Sequence, residues 1–209
     1  QRHGTRIAAV EAVPTFHSRG PVGIHFTNSA GHHDIRYNDI TSDDDHMFMD
    51  IVGGDANFSW RGFPNCDSDI YGNRLTHAWD DAIEAEGGNR NVRIWGNYID
   101  RAYTGISTAA TSIGPIYIVR NVYDTSRESE APNDNGGPFA KLGDNRDFGG
   151  GRRYYFHNTL QQRPPPEGAT RTQGAIGGLS GGSTDRPMVK VWTRNNIWQN
   201  HKDWHPSIY

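Results

Sequence analysis

A short motif, apolar residues on either side of an Asn, recurs six times along the chain. The copies are Ile35–Ile40, Ile70–Leu75, Ile94–Ile99, Ile118–Tyr123, Tyr155–Leu160 and Trp192–Ile197, with Asn38, Asn73, Asn97, Asn121, Asn158 and Asn195 as the common residue. Successive Asn residues stand 35, 24, 24, 37 and 37 apart. Two equal steps and three longer ones describe one basic coil that sometimes carries an insert. Such repetition leaves few architectures, because a single repeat cannot bury its apolar face without its neighbours.

A second short strand precedes each motif. Gly23–Phe26, Ala82–Ala85, Gly105–Ser107, Pro138–Lys141 and Ala175–Gly177 open on Gly, Ala or Pro. Met49–Val52 takes the same slot if Gly53-Gly54 is aligned with Gly87-Gly88. Short strands repeated every coil predict an all-β chain, a parallel β-solenoid of about six coils with loop insertions, as one domain over 1–209. With 25 Gly in 209 residues and little helical patterning, a helical bundle is excluded. The Asn tolerates the left-handed backbone of a sharp turn. Stacked on coils about 4.8 Å apart, its amides can hydrogen-bond as a ladder.

Solenoids vary their loops on the binding side. The inserts fall at 54–69, 125–137, 143–151 and 161–172. Ile7 to Val13 reads as a strand of an earlier coil, the chain then being a piece of a longer solenoid. The tail 201–209 reads as a cap on the open end.

The net charge of −3 without a basic block argues against a nucleic-acid partner. No run of 18 apolar residues predicts a membrane-spanning helix. Cys66 has no partner for a disulfide and reads as a small buried hydrophobe. The ten His residues show no familiar zinc-ligand spacing, so zinc is disfavoured.

Aligning the second strands puts His25, Asp50, Glu84 and Ser107 in one outward column. Trp79-Asp80-Asp81 lies just before Glu84, and Asp43-Asp44-Asp45-His46 comes from the neighbouring coil. These carboxylates are either solvated turn residues or the ligands of a hard cation. Calcium suits them, since it accepts several oxygen donors in flexible geometry. Among only three lysines, Lys141 lies on a strand of the same series. In phase with Phe139 it points inward, and a one-residue bulge turns it outward. An ion pair with Glu84 or Glu86 is its simplest role.

The spacing and the Asn column resemble the right-handed parallel β-helix of pectate lyases and polygalacturonases over about residues 22–200. Asp80-Asp81-Ala82-Ile83 followed by Asn91-Val92-Arg93-Ile94 is similar to the polygalacturonases. Thr104-Gly105 and Val119-Arg120-Asn121 stand where that family has His-Gly and Arg-x-Lys. Phe139-Ala140-Lys141-Leu142-Gly143 resembles the strand carrying the base lysine of family 9 pectate lyases. Their calcium-binding Asp-Asp-x-x-Asp run is close to Asp80–Glu84.

The resemblance implies an extracellular protein that acts on an acidic polysaccharide. In its lyase form, calcium on Asp80, Asp81 and Glu84 assists β-elimination with Lys141 as the base. Burial and the cation would lower the Lys141 pKa. In its hydrolase form, Asp50, Asp80, Asp81 and Glu84 are the carboxylate set. A non-catalytic binding or structural element is the third form. Arg152 and Arg153 would fork substrate carboxylates, Trp60 and Trp79 would stack on sugar rings, and His25 and Asp50 would line the subsite.

Overall fold

A computed structural model describes residues 20–54, 57–127, 137–163, 177–181 and 188–199. Ile7 to Val13, the tail 201–209, and parts of the inserts at 125–137 and 161–172 lie outside the described residues. The apolar positions of the repeat make three inward columns. Ile35, Ile70, Ile94, Ile118 and Tyr155 pair in register and are all buried. Ile40, Leu75, Ile99, Tyr123, Leu160 and Trp198 form the second column. Ile24, Val52, Ile83, Ile106, Ala140 and Leu179 form the third. Each large aliphatic buried this way contributes about 1.5–3 kcal/mol, and its partners lie on the coils above and below.

Those columns belong to three parallel sheets of six strands. Sheet 1 stacks β1 (Ile24–Phe26), β4 (Val52–Gly54), β7 (Asp81–Glu84), β10 (Thr104–Ser107), β13 (Ala140–Leu142) and β16 (Leu179–Gly181). Sheet 2 stacks β2 (Asp34–Arg36), β5 (Asp69–Tyr71), β8 (Val92–Trp95), β11 (Ile116–Val119), β14 (Arg153–Phe156) and β17 (Val191–Arg194). Sheet 3 stacks β3 (Asp39–Ile40), β6 (Arg74–Thr76), β9 (Tyr98–Asp100), β12 (Val122–Tyr123), β15 (Thr159–Gln161) and β18 (Ile197–Gln199). This is a right-handed parallel β-helix of about six coils. Among the described residues there is no helix long and apolar enough to cross a membrane.

The Asn ladder forms, with two corrections. Asn38, Asn73, Asn97 and Asn121 each donate from Nδ2 to the Oδ1 of the next Asn at 2.9–3.1 Å, and the same oxygen accepts the backbone N–H. The last rung is Asn158 to Asn196, not Asn195. The left-handed backbone also belongs to the residue before each ladder Asn: Tyr37, Gly72, Gly96, Arg120, His157 and Asn195 have φ between 53° and 63°. The ladder Asn is therefore retained for its amide, not for its tolerance of positive φ.

The register of sheet 1 corrects the sequence alignment at three places. Val52, not Met49 or Asp50, meets Ile83, so Asp50 is not in the Glu84 column. Ala140, not Phe139, pairs with Ile106, so Lys141 faces outward beside Ser107 without a bulge. The last strand is Leu179–Gly181 rather than Ala175–Gly177, most of which lies outside the described residues. Inserts 54–69 and 143–151 follow strands of sheet 1, while 125–137 and 161–172 precede them. Of these, 57–69 and 143–151 are described, and they build up the corner that follows sheet 1.

Candidate active site

The outward row of sheet 1 runs His25, Gly53, Glu84, Ser107, Lys141 and Ser180. Gly53 matters because it has no side chain. A Cβ there would lie 3.1 Å from Glu84 Oε2 and 3.2 Å from Glu84 Cβ. The Glu84 side chain occupies that gap, and His25 stands exposed beyond it.

Asp50 and Asp81 occupy equivalent places on adjacent coils, just before the buried pairs Ile51-Val52 and Ala82-Ile83. The Asp81 N–H donates to Asp50 Oδ1 at 3.1 Å. Side-chain oxygens of Asp50, Asp80 and Asp81 lie within 4.8 Å of one another, as do those of Asp81, Glu84 and Glu86. Asp81 is common to both groups. The Lys141 Nζ, reaching back along the outer face, donates to Asp81 Oδ2 at 3.0 Å and lies 3.6 Å from Glu86 Oε1. Ser107 Oγ–H donates to the same Glu86 oxygen.

Five carboxyl groups around one ammonium cannot all be charged away from water. Burial, with Asp50 and Glu86 nearby, pushes the Glu84 carboxyl up to about 8. Burial also raises Glu86, to about 6, against the opposing pull of Lys141 and Ser107. It raises Asp81 well above the ordinary carboxylate range, again against Lys141. For Lys141 burial acts downward, but Asp81, Glu86 and Asp80 together outweigh it and hold the ammonium above its ordinary value. That overturns the expectation of a lowered lysine. With the acids around it uncommitted, Lys141 keeps its proton.

The donor set fits a hard divalent cation. Asp81 Oδ1 and Glu86 Oε2 are buried and lack a hydrogen-bond partner. The oxygens of Asp50, Asp80 and Asp81 come from two coils, and all the donors are carboxylates. Glu84, expected on the metal with Asp80 and Asp81, shares the second group with Asp81 and Glu86 and not with Asp80, and burial raises its carboxyl to about 8.

Other expected residues separate. Arg153 points into the core from β14, is fully buried and pairs with Asp144, so it cannot reach a polysaccharide. Its neighbour Arg152 is exposed and lines a shallow pocket with Lys190, Ile113, Gly114, Pro115 and Gly150. The Arg127 guanidinium lies 4.1 Å from the centroid of the Trp79 ring, covering one face of it. Trp60 is 64% exposed and tilted against Phe148 of the insert 143–151. The run Asp43–His46 is engaged elsewhere: Asp43 bonds His46, and Asp44 lies 3.8 Å from His77. Glu86 entered the sequence reading only as an ion-pair partner. Its place two residues after Glu84 was the available signal, but the turn that brings it back to Lys141 is a tertiary feature.

No family model matches the chain, and no curated protein or solved structure is similar to it, so its function must be read from the outer face of sheet 1 itself.

Proposed function

We propose that the outer face of sheet 1 binds an acidic polysaccharide and cleaves it by β-elimination at a uronate. One observation carries this reading: two groups of carboxylates joined at Asp81 converge with Lys141 on sheet 1. Asp50, Asp80 and Asp81 would hold a calcium ion. When bound, calcium neutralises the substrate carboxylate and stabilises the enolate-like charge beside C5.

Once Asp81 is committed to that role, Lys141 loses the partner that most strongly holds its proton; it would release that proton to solvent and, as the neutral amine, take the C5 proton on Nζ. The electron pair of the C5–H bond forms the C4–C5 double bond, and the C4–O bond breaks. Glu84, protonated up to about pH 8, stands in the same row and would give its proton to the leaving oxygen. Trp60 supplies an aromatic wall and Arg152 a cation for a neighbouring uronate. As the resemblance implies, the protein would work outside the cell.

The raised Glu84 carboxyl also favours a second reading, a hydrolase in which Glu84 is the general acid and a neighbouring carboxylate the base or nucleophile. One experiment tests both. The protein is incubated with a panel of polyuronides, with calcium or chelator, while ultraviolet absorbance and reducing ends are followed. Calcium-dependent absorbance from new double bonds, abolished in Lys141→Ala, supports elimination. Reducing ends without absorbance, lost in Glu84→Gln, identify hydrolysis. Neither signal on any polyuronide rejects a cleaving activity on this substrate class.

A further inference from the structure

The turn leading into sheet 2 carries a row of left-handed residues: His32 (φ 60°), Asp67 (φ 46°) and Asn91 (φ 52°). They are 35 and 24 residues apart, the steps that also separate Asn38, Asn73 and Asn97. The strand pairs that follow, Asp34 with Asp69 and Asp69 with Arg93, keep them in one row. A positive φ favours residues of these types. It does not account for the thiol set against them.

Cys66 is buried, and its carbonyl accepts the His32 N–H at 2.7 Å, which locks the two turns together. One donor atom each from His32, Cys66 and Asp67 lies within 4.8 Å of the other two. His32 and Asp67 are exposed, so the group opens to solvent. Gly31 allows this approach: a Cβ there would sit 2.6 Å from Cys66 Sγ.

We propose that His32, Cys66 and Asp67 bind a borderline divalent transition metal of the zinc class. The ligands are one imidazole nitrogen, one thiolate and one carboxylate oxygen, with water completing a tetrahedron. Nitrogen and sulfur donors select such an ion over calcium or magnesium. The acids of sheet 1, oxygen donors throughout, have the opposite preference. Asn91 Nδ2 donates to Asp67 Oδ1 at 2.6 Å and so orients the carboxylate from outside the ligand set. On binding, the Cys66 thiol gives its proton to solvent and gives up its 3.3 Å contact with the Ala30 carbonyl, and a sulfur–metal bond forms. No electron is transferred. The metal clamps the first described coil to the second and stabilises the folded chain by mass action.

Cobalt(II) titration of the intact protein, kept reduced with a phosphine, tests this. One equivalent should produce a sulfur-to-cobalt charge-transfer band and the intense visible bands of four-coordinate cobalt, both removed by zinc. Cys66→Ser should abolish the charge-transfer band. His32→Ala and Asp67→Asn should weaken binding more than Asn91→Ala, which should cost about tenfold. Glu84→Gln should leave the titration unchanged. Should Cys66→Ser fail to fold, the exposed His32→Ala carries the test. Absence of the band at equimolar cobalt overturns the proposal, as does a band that His32→Ala leaves at full strength and affinity.

Discussion

Sheets 1 and 2 are built from the same repeat, yet their outer faces solve the problem of exposed rows in opposite ways. On sheet 2 each row is satisfied by its neighbours. Arg93 forks Asp69 one coil away, and Trp95 Nε1 donates to the same carboxylate at 3.0 Å. Tyr71 stacks on Trp95 with centroids 4.1 Å apart and planes within 8°, and Tyr154 stacks on Tyr117 and Trp192. Sheet 1 instead gathers Asp50, Asp80, Asp81, Glu84 and Glu86 about Lys141. Stacked identical or complementary side chains strengthen a solenoid, whereas buried carboxylates weaken it. The second arrangement persists where it can serve a ligand.

The largest test of that contrast is Lys141→Met. It leaves Asp81 and Glu86 buried without their cation and should cost about 3–5 kcal/mol at pH 8, read from urea unfolding. The cost should shrink below about pH 5, where the acids hold protons of their own. An equal loss at both pH values would mean that Lys141 acts by packing alone.

The next largest effect is the pH dependence of sheet 1. The folded Glu84 pKa, about 8, lies above its ordinary 4.5, so the folded state binds the proton more tightly. Its contribution is complete below pH 4.5 and is lost as pH rises through about 8. Unfolding free energies from urea should therefore fall across this window, by at most about 5 kcal/mol for this group. Glu84→Gln should flatten that part of the curve. A wild-type profile that rises from pH 5 to 8 and is matched by the variant would reject the assignment.

The smallest effects belong to sheet 2. Trp95→Ala should cost about 1 kcal/mol beyond the area it exposes, through the lost stack. Arg93→Ala should cost under about 1 kcal/mol and less in high salt, because the pair is exposed. A loss of several kcal/mol from Arg93→Ala would erase the distinction between the two faces.

Much of this could be read from the repeat. The step of 24 placed Asn73, Asn97 and Asn121 on one ladder. Where coils carry inserts, equivalence had to be guessed from local resemblance. Gly53-Gly54 was matched to another Gly pair, although Gly53 is small to make room for Glu84 rather than to turn the chain. Two adjacent Asn residues, Asn195 and Asn196, left the last rung ambiguous. At Arg153 composition suggested a surface fork, but alternation along β14 turned the side chain inward to meet Asp144.

By itself the sequence determined the coil, most of the amide ladder and the two apolar columns that flank it, because those depend on periodicity and each residue needs only its own type and step. Tertiary structure alone decided which carboxylates share space, which way Lys141 faces and what proton each group holds. Charge interactions and desolvation depend on distances between coils, and a one-residue change of register carries a side chain to the other side of the sheet.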